Sequence, residues 1–346
     1  MNLAEEQMVS NPQGSPSGGA VVPRRTFHVV DILRFRESGT IIALVILCLF
    51  LSLATSTFLR PMNLLNVLRQ MSEVSIMAVG MTILIITGEF DLSVGSMFGL
   101  SAVVMGILVR DLGFDLWVAF GAALILALGV GCFNGLLTTK IKIPSFIVTL
   151  GMLSILRGAA LVLAEGYPIS EFPDSSFFNA LSGQLFGFLP TQVIWMIVIN
   201  VIGSIVLSRF IFGYHVYSTG SNRRATMLSG INTDWVQIRA FMITSCLAAV
   251  AGGIMVAHLS SATPLAGQGN ELDVIAAVVI GGTALAGGSG SIFGTFLGAA
   301  IMSVLRNGLV LLGVSSYWQV AAIGAVILIA VVIDTLSKRT MLLARS

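Results

Sequence analysis

Long apolar runs recur along this chain at short intervals, and they constrain its fold more than any other feature. A helix needs about 20 residues to cross the hydrocarbon core of a bilayer. Only 10% of the 346 residues are charged, against roughly 25% in soluble domains. The sequence therefore predicts an all-α polytopic membrane protein with about ten transmembrane helices, some of them interrupted by glycine. The predicted spans are 40–59, 72–88, 92–109, 116–138, 145–164, 191–212, 239–259, 273–287, 292–312 and 317–335.

Lysine and arginine cluster in alternate loops, which predicts the orientation of the chain, because cytoplasmic loops carry an excess of both. These residues precede the first span, follow the fourth, surround the segment after the sixth and close the chain. The loops 165–190 and 260–272 contain acidic residues but no lysine or arginine. Both termini are therefore predicted to be cytoplasmic. Arg60 and Arg69 are the exceptions, since this scheme places them outside.

The start of the chain is rich in proline, glycine and serine and has no apolar face, which is typical of disordered segments. We divide the chain into a cytoplasmic N-terminal tail (1–38), a transmembrane domain (39–337) and a cytoplasmic C-terminal tail (338–346). The first apolar run is longer than the core of a signal peptide and lies farther from the start. It is interpreted as a retained transmembrane helix.

The sequence carries no signature of an enzyme or of a metal site. It contains no GxxxxGKS or GxxxxGKT, no HExxH and no CxxC, and the run GGSGSIFG is not a GxGxxG. Its three cysteines and three histidines are scattered, which indicates neither a disulfide framework nor a metal site. The net charge of +2 is too small to indicate a nucleic-acid partner. We therefore expect no catalytic residues, no metal and no cofactor in this chain.

An acidic turn interrupts two apolar runs in the stretch TGEFDLSVGSMFG, which begins at Thr87. A carboxylate in hydrocarbon costs several kcal/mol unless it faces protein or water. Asp91 is one candidate for the cap of a helix that begins near Val94, where the helix dipole favours negative charge. Alternatively, Asp91 and Ser93 line a pathway to which a broken helix exposes its backbone. The sequence leaves both interpretations open.

The pentapeptide GSMFG at 95–99 is echoed by GSIFG at 290–294, and each begins an apolar helix. Glycine-interrupted helices in corresponding positions indicate a transport pathway. The alternative is a helix-packing face, because small residues at this spacing allow close approach. The candidate packing residues are Gly290, Gly294 and Gly298, and the candidate pathway residues are Asp91, Ser93, Gly95, Gly288 and Ser289.

The longest polar stretch on the predicted cytoplasmic side is the segment 213–238. Asn222 is predicted to cap a helix of almost two turns, RRATMLS, and Gly230 fits the left-handed position that ends it. Thr233 or Asp234 is predicted to cap the next helix. The exposed residues of the short helix, Ala225, Met227 and Leu228, would then be available to a groove on a partner. An ordinary positive-inside loop is the other interpretation.

Several stretches together resemble the membrane-spanning permease subunits of bacterial ABC importers for ribose, xylose and related sugars, a family that includes the autoinducer-2-type permeases. Three details depart from the family pattern. Gly88-Glu89-Phe90 stands where Gly-Ile or Gly-Gly-Ile usually precedes Asp-Leu-Ser, Gly220-Ser221-Asn222 replaces Gly-Gly-Asn, and Ala225-Thr226 replaces paired alanines. The matching stretches are AVGMTILIITGEFDLSVGSMFGLSA (78–102), NGLLTTKIKIPSFIVTLGML (134–153), GYHVYSTGSNRRATMLSGI (213–231), ELDVIAAVVIGGTALAGGSGSIFGTFLGAAI (271–301) and NGLVLLGVSSYWQ (307–319).

The resemblance implies a permease domain whose segment 213–238 docks on a cytoplasmic ABC ATPase subunit. It also implies a multi-pass protein of the bacterial cytoplasmic (inner) membrane, in contact with lipid, that forms the translocation path for a ribose-type sugar. The implied partners are the ATPase, a periplasmic sugar-binding protein and a second permease copy or paralogue. The motif residues carried over to the ATPase-coupling role are Gly220, Asn222, Ala225, Gly230 and Ile231.

A stand-alone secondary transporter or channel for a small polar solute is the alternative function. Ion-coupled carriers place ionisable groups in mid-membrane, and apart from Asp91 the predicted spans offer few. Arg157 and Arg306 lie near helix ends, and both are expected to extend their side chains to the interface. Glu73 is expected at the outer interface. His258 and Gln268 are expected at the outer mouth, where they would meet a binding protein.

Overall fold

A computed structural model describes residues 37–170, 172–315, 317–326, 328, 329 and 332. The predicted N-terminal tail up to residue 36 and the predicted C-terminal tail therefore lie outside the described residues. Helices dominate the described part. They are α1 (Ser38–Ala54), α2 (Pro61–Ile86), α3 (Val94–Arg110), α4 (Leu116–Thr139), α5 (Ser145–Leu163), α6 (Ser176–Ser182), α7 (Thr191–Arg209), α8 (Ile211–Ser221), α9 (Arg223–Leu228), α10 (Thr233–Leu259), α11 (Asn270–Ile280), α12 (Ile292–Leu311) and α13 (Tyr317–Val326).

Six of these helices are long and apolar enough to cross a membrane, namely α2, α4, α5, α7, α10 and α12. They establish a helical, multi-pass membrane protein. Helices also occupy the other predicted spans, but α1, α3, α11 and α13 are shorter. The count of about ten crossings and the cytoplasmic location of both termini stay predictions.

Helix α2 begins at Pro61, which is 11 residues before the predicted start of this span at residue 72. Proline suits the first helical position, because its missing N–H would be unpaired there anyway. The added turns contain polar residues, which lowered the apolar signal. One of them, Asn63, is buried and exchanges side-chain hydrogen bonds of 2.9 and 3.0 Å with Asn307. Because the buried amides of Asn63 and Asn307 satisfy each other's hydrogen bonds, these polar turns can pack inside the bundle.

The centre of the bundle is α10, which packs on α2 and α4 through small residues. A Cβ atom at Gly80 would lie 2.7 Å from the Cα of Thr244, and one at Gly131 would lie 2.6 Å from the Cα of Met242. Close backbone approach of this kind is how helices associate in membranes, where lipid is as apolar as the side chains. The resulting α2–α4–α10 unit is the rigid frame against which the broken helices rest.

Two helices begin inside the bundle rather than at its ends. Gln237 of α10 contacts Thr87 and Glu89, whereas Gly252 of the same helix faces Phe98. Those α10 residues are 15 positions apart, or about 22 Å at 1.5 Å per residue. Since α3 starts only at Val94, the non-helical segment 87–93 covers part of that rise, and α3 begins inside the bundle.

Helix α11 is the second broken helix, with 11 residues between Asn270 and Ile280. The non-helical segment 260–269 leads from the end of α10 down to its first residue. A Cβ atom at Gly267 would lie 2.8 Å from the ring of Phe98 in α3. The starts of α3 and α11 therefore meet within the bundle, and the predicted span 273–287 is corrected to a half-length helix.

The segment 165–190, predicted as a loop, contains regular structure of its own. Ser175 caps the short helix α6, and a two-stranded antiparallel hairpin follows, with Gln184 opposite Pro190. The hairpin is a small exception to the all-α prediction. Ile169 also forms a reciprocal backbone bridge of 2.8 Å with Ala262. This bridge fixes the start of segment 260–269 at the end of the bundle that carries α6. The strands are β1 (Gln184–Leu185) and β2 (Leu189–Pro190).

Candidate functional site

Three parts of the chain converge at one end of the bundle, which we call the coupling end: residues 86–89, 210–232 and 281–291. The N–H of Gly288 donates to the carbonyl of Ile86 at 2.8 Å. Gly220, near the end of α8, lies against both, and a Cβ atom there would be 2.6 Å from the Gly288 nitrogen. Gly220, in the predicted coupling segment, thus touches both the turn that precedes α3 and the turn that follows α11.

Helix α8 adds a second attachment to the turn 281–291. The hydroxyl of Tyr217 donates to the carbonyl of Gly290 at 2.9 Å. Residues 211–221 were predicted to form the end of a span and the start of a polar loop. The structure corrects this to an 11-residue helix that is packed through Val216 and Thr219. The predicted coupling segment therefore begins with a rigid element.

The short helix α9 has the predicted cap and the predicted end. The side chain of Asn222 accepts a hydrogen bond of 3.0 Å from the N–H of Ala225, and Gly230 has φ +83°. The cap of the next helix is different from the prediction. Asn232, and not Thr233 or Asp234, accepts from the N–H of Trp235 at 3.1 Å. Asp234 is instead engaged in ion pairs.

Helix α9 is fastened to its neighbours on one face and exposed on the other. The hydroxyl of Thr226 donates to the carbonyl of Ser218 at 2.7 Å, and Arg223 pairs with Asp234 at 2.8 Å. Met227 and Leu228 are exposed, Leu228 by 83%. A held helix that displays apolar side chains beside Arg224 is suited to the groove of a partner protein.

The carboxylate of Asp91 is buried and fully engaged by neighbouring donors. One oxygen accepts from the N–H of Ser93 at 2.7 Å and from its hydroxyl at 2.5 Å. Asn134 of α4 donates to the other oxygen at 3.4 Å and to the Ser93 hydroxyl at 3.2 Å. The expectation that Asp91 caps α3 directly was wrong, because Ser93 occupies the N-cap and Asp91 closes the turn before it.

Glu89, the departure from the family pattern, faces a cavity at the coupling end. It accepts a hydrogen bond of 3.2 Å from Gln237, which also donates to the carbonyl of Thr87 at 3.3 Å. The cavity has a volume of about 510 Å³, and Arg223 and Met227 of α9 also line it. Sequence reasoning missed Gln237, since one glutamine in a long span carries no pattern.

Arg157 does not extend to the interface, contrary to the expectation. Its guanidinium donates to the carbonyl of Pro264 at 3.0 Å and to that of Ala266 at 2.7 Å. Both carbonyls belong to the non-helical segment 260–269. Backbone of this kind is tolerated at membrane depth only where protein or water satisfies it. Arg157 supplies those donors, so it holds the approach to α11 in place.

The two echoed pentapeptides take different positions relative to their helices. Gly95 is the second residue of α3, whereas Gly290 lies two residues before α12 begins. Both still approach the same part of the chain. Gly95 lies against Gly267 and Glu271, and Gly294 lies against Gly281. The segment 266–281 is thus held between a glycine of α3 and a glycine of α12.

The remaining candidate residues lie close to these contacts. Gly298 approaches the backbone of Ala277, and Gly290 faces Thr283. The carbonyl of Ser289 accepts from the N–H of Ala284 at 2.9 Å and closes the turn. Ile231 is half-buried behind α9. Among the described cavities, none is lined by Asp91, Ser93, Gly95, Gly288 or Ser289.

A second group of charges lies between α2, α11 and α12 and includes two residues that were expected at an interface. Glu73 is the thirteenth residue of the 26-residue helix α2, and its expected place at the outer interface stays a prediction. Arg306 of α12 forms an ion pair with Asp273 of α11, whose side chain is 4% exposed. The guanidinium of Arg306, which is 39% exposed, is therefore held by a buried carboxylate and is not free to extend along the helix.

His258 and Gln268 lie toward the other end of the bundle. His258 lines a cavity of about 740 Å³ together with residues of α6, and its ring is 3.4 Å from the hydroxyl of Ser182. Gln268 is exposed. Their expected contact with a binding protein stays a prediction.

Comparison with known proteins gives a consistent result over most of the chain. Residues 63–331 match the family described as branched-chain amino acid transport system / permease component. The chain is 41% identical over 300 residues to the ribose import permease protein RbsC of Bacillus subtilis, covering 86% of this chain and 92% of that protein. It is 38% identical over 302 residues to the probable ABC transporter permease protein YphD of Escherichia coli, covering 87% and 90%.

A more distant relative extends the same similarity. The xylose transport system permease protein XylH of Escherichia coli is 33% identical over 373 residues, covering 90% of this chain and 95% of that protein. No solved structure matches the chain.

Proposed function

Since this chain belongs to the family of branched-chain amino acid transport system / permease components, we propose that it is the membrane subunit of an ATP-binding-cassette importer for ribose or a related sugar. The observation that carries the proposal is the contact of Gly220 with both Ile86 and Gly288. A segment built to dock on a partner thereby touches the two turns that break helices. None of the relatives named above is described as a stand-alone transporter or channel.

The proposed assembly follows from the importer function. A cytoplasmic ATPase subunit holds the exposed face of α9, and a periplasmic sugar-binding protein delivers the sugar at the opposite end of the bundle. A second permease copy or a paralogue completes the membrane part, which lies in the bacterial inner membrane. Neither a cofactor nor a catalytic residue is assigned to this chain, because the ATPase supplies the chemical energy.

Coupling in this proposal is a mechanical displacement at the coupling end. Movement of α9 pulls on α8, and α8 acts on the turn 281–291 through Tyr217 and Gly220. Because Gly288 is hydrogen-bonded to Ile86, separation of the two turns opens the bundle beside Gly88. Discrete rearrangements of packed elements are the usual means by which a local change becomes a gate.

The pathway residues belong to this gate. We propose that Gly288 and Ser289 form its movable side, and that Asp91, Ser93 and Gly95 form the wall behind it. In the structure Gly288 is hydrogen-bonded to Ile86, and Asp91 and Ser93 are buried against Asn134, as expected of a closed gate. The buried hydroxyl and carboxylate groups become available to sugar hydroxyls when the turn 281–291 moves away.

Gly230→Pro is expected to abolish copurification of the ATPase with the tagged chain. Proline cannot adopt φ +83° and removes the N–H that donates to the carbonyl of Met227 at 3.0 Å. Mass spectrometry of the purified complex should identify a P-loop protein with the unmodified chain but not with Gly230→Pro. Gly230→Asn is the matched control, because asparagine tolerates the left-handed region. A chain that purifies alone and moves ribose in ATP-free vesicles would contradict the importer function.

Asn222→Ala is expected to weaken ATPase binding by about fivefold. Loss of an N-cap costs about 1 kcal/mol, and 1.4 kcal/mol corresponds to a tenfold change in affinity. Titration of the detergent-solubilised chain with labelled ATPase measures the change. Asn222→Ser retains a capping oxygen and should bind almost normally. Equal affinities for the alanine and serine variants would show that the capped form of α9 is not the docking element.

A further inference from the structure

A cavity with a cluster of charged side chains lies between α2, α11 and α12, and none of the residues assigned to the gate lines it. Its volume is about 260 Å³, and Glu73, Asp273, Ser303 and Arg306 are among the residues that line it. Gln70 and Asn270 lie at its margin and also line it. These side chains carry charge or hydrogen-bonding groups, and the rest of the lining is Val74, Met302, Val310 and Gln319.

The position of the cavity follows from the broken helix. Helix α11 begins at Asn270, so no helical turns of α11 fill the space beyond it between α2 and α12. Glu73 is 12 residues from the start of α2, or about 18 Å along its axis, which is close to the middle of this 26-residue helix. Glu271, one residue into α11, lies against Gly95. The first turn of α11 thus lines the cavity through Asn270 and Asp273 and contacts the proposed gate wall through Glu271.

Two buried oxygen atoms in this cavity have no hydrogen-bond partner among the described residues. One carboxylate oxygen of Asp273 is paired with Arg306, and the other accepts no hydrogen bond. The hydroxyl of Ser303 also has no partner. Both residues are 3% exposed. An unsatisfied buried group is costly, and ionisable residues within membrane helices indicate function by default.

We propose that this cavity is the sugar-contact site of the translocation path. Hydroxyl groups of a monosaccharide would donate to Asp273 and Glu73 and accept from Arg306 and Asn270, while Ser303 can do either. The volume lies just below the roughly 300–1,000 Å³ of sites for drug-sized ligands, as suits a smaller solute. This inference rests on the proposed sugar importer and assigns the place where the sugar pauses within it.

The chemistry of the cavity also discriminates between solutes. A branched-chain amino acid has an aliphatic side chain, which prefers an apolar pocket. Here the wall offers two carboxylates, one guanidinium, amides and a hydroxyl. A neutral polyhydroxylated solute can hydrogen-bond to several of these groups at once without bringing charge into the cavity, whereas the ammonium and carboxylate of an amino acid would each lose their hydration there. We therefore expect D-ribose, and not L-leucine, to occupy the cavity.

Protection of an introduced cysteine tests occupancy directly. Gln70→Cys is placed in the complete transporter after Cys48, Cys132 and Cys246 have been replaced by alanine, and its labelling by a methanethiosulfonate reagent is timed. D-ribose at ten times the half-protecting concentration should slow labelling about tenfold, and L-leucine should have no effect. Asn66→Cys, one turn away on α2 and outside the cavity, is the matched control and should not be protected.

Transport by Ser303→Ala gives a second, independent readout. Removing one hydrogen bond to the sugar should lower ribose uptake at subsaturating concentration about three- to tenfold. Ser245→Ala removes another buried, unpartnered hydroxyl, at 1% exposure and outside this cavity, and should transport within about twofold of the unmodified chain. Because neither hydroxyl has a partner, neither variant is expected to fold poorly.

The outcomes separate this inference from the function on which it rests. If the unmodified complex imports ribose but ribose protects neither cysteine and Ser303→Ala transports normally, the site assignment is wrong and the importer function stands. If the unmodified complex imports no sugar, or if L-leucine alone protects Gln70→Cys, both are wrong.

Discussion

Valine in place of Gly220 is expected to reduce ATP-driven ribose import by more than tenfold. A Cβ atom at this position would lie 2.6 Å from the nitrogen of Gly288, and it would lie even closer to the carbonyl of Ile86. Both are backbone atoms, so no side-chain rotation can relieve the overlap. Overpacking of this kind typically costs about 1–3 kcal/mol, and 1.4 kcal/mol is a tenfold change in an equilibrium. This cost falls on the closed state of the gate, in which Gly220 touches Ile86 and Gly288.

The measurement is ribose uptake together with ATP hydrolysis by the reconstituted complex. We expect import to fail while the ATPase still binds, because α9 itself is unchanged by the substitution. Gly129→Val is the matched control, since a Cβ atom at Gly129 in α4 would meet nothing within 4 Å. Equal transport by the two valine variants would show that the contact of α8 with Ile86 and Gly288 has no part in coupling.

The sequence was sufficient to predict the helical membrane architecture and the local form of the coupling segment. Long apolar runs are a strong signal, and capping has a mechanism that a few residues reveal. Asn222 and Gly230 therefore occupy the predicted positions at the two ends of α9. The error at the next cap is small: Asn232 was passed over for Thr233 and Asp234, although asparagine is an equally good capping residue.

What the sequence did not show depends on contacts between distant segments. The first turns of α2 were missed because Asn63 lowers the apparent hydropathy, and its partner Asn307 is 244 positions away. The starts of α3 and α11 inside the bundle are likewise tertiary features. Local patterns cannot predict a half-length helix whose approach is held by an arginine from another helix.

The ion pair in the sugar cavity is a second contact that the sequence could not predict. Arg306 was expected to reach the interface because it lies near the end of an apolar helix, and long basic side chains commonly do so. Its partner Asp273 lies 33 positions earlier, in a helix that was predicted with different bounds. A charge in a span has two physical solutions, an aqueous interface or an internal partner, and only the fold decides between them.

Arg157→Met is expected to destabilise the folded chain and to release the segment 260–269. Methionine preserves an unbranched side chain but leaves the carbonyls of Pro264 and Ala266 without their charged donor. Hydrogen bonds to charged groups contribute about 1.5–3 kcal/mol each in soluble proteins. Hydrogen bonds between membrane helices average only about 0.6 kcal/mol, because the chain finds other partners when it unfolds within the bilayer. Loss of the two hydrogen bonds should therefore lower the free energy of unfolding by about 1–6 kcal/mol.

Hydrogen–deuterium exchange measured segment by segment distinguishes a general loss of stability from release of the segment 260–269. Hydrogen–deuterium exchange of amides in 262–272 should accelerate more than exchange in α4, which Arg157 does not contact through these bonds. Arg157→Lys is the matched control, because its single ammonium group retains the charge and can donate to one carbonyl, so it should lose about half as much. Gly267 and Glu271 lie against Gly95, so release of the segment also removes the support on which the start of α3 rests. Uptake of ribose by Arg157→Met should accordingly fall even below its unfolding temperature, and normal uptake with unchanged exchange would exclude a holding role for Arg157.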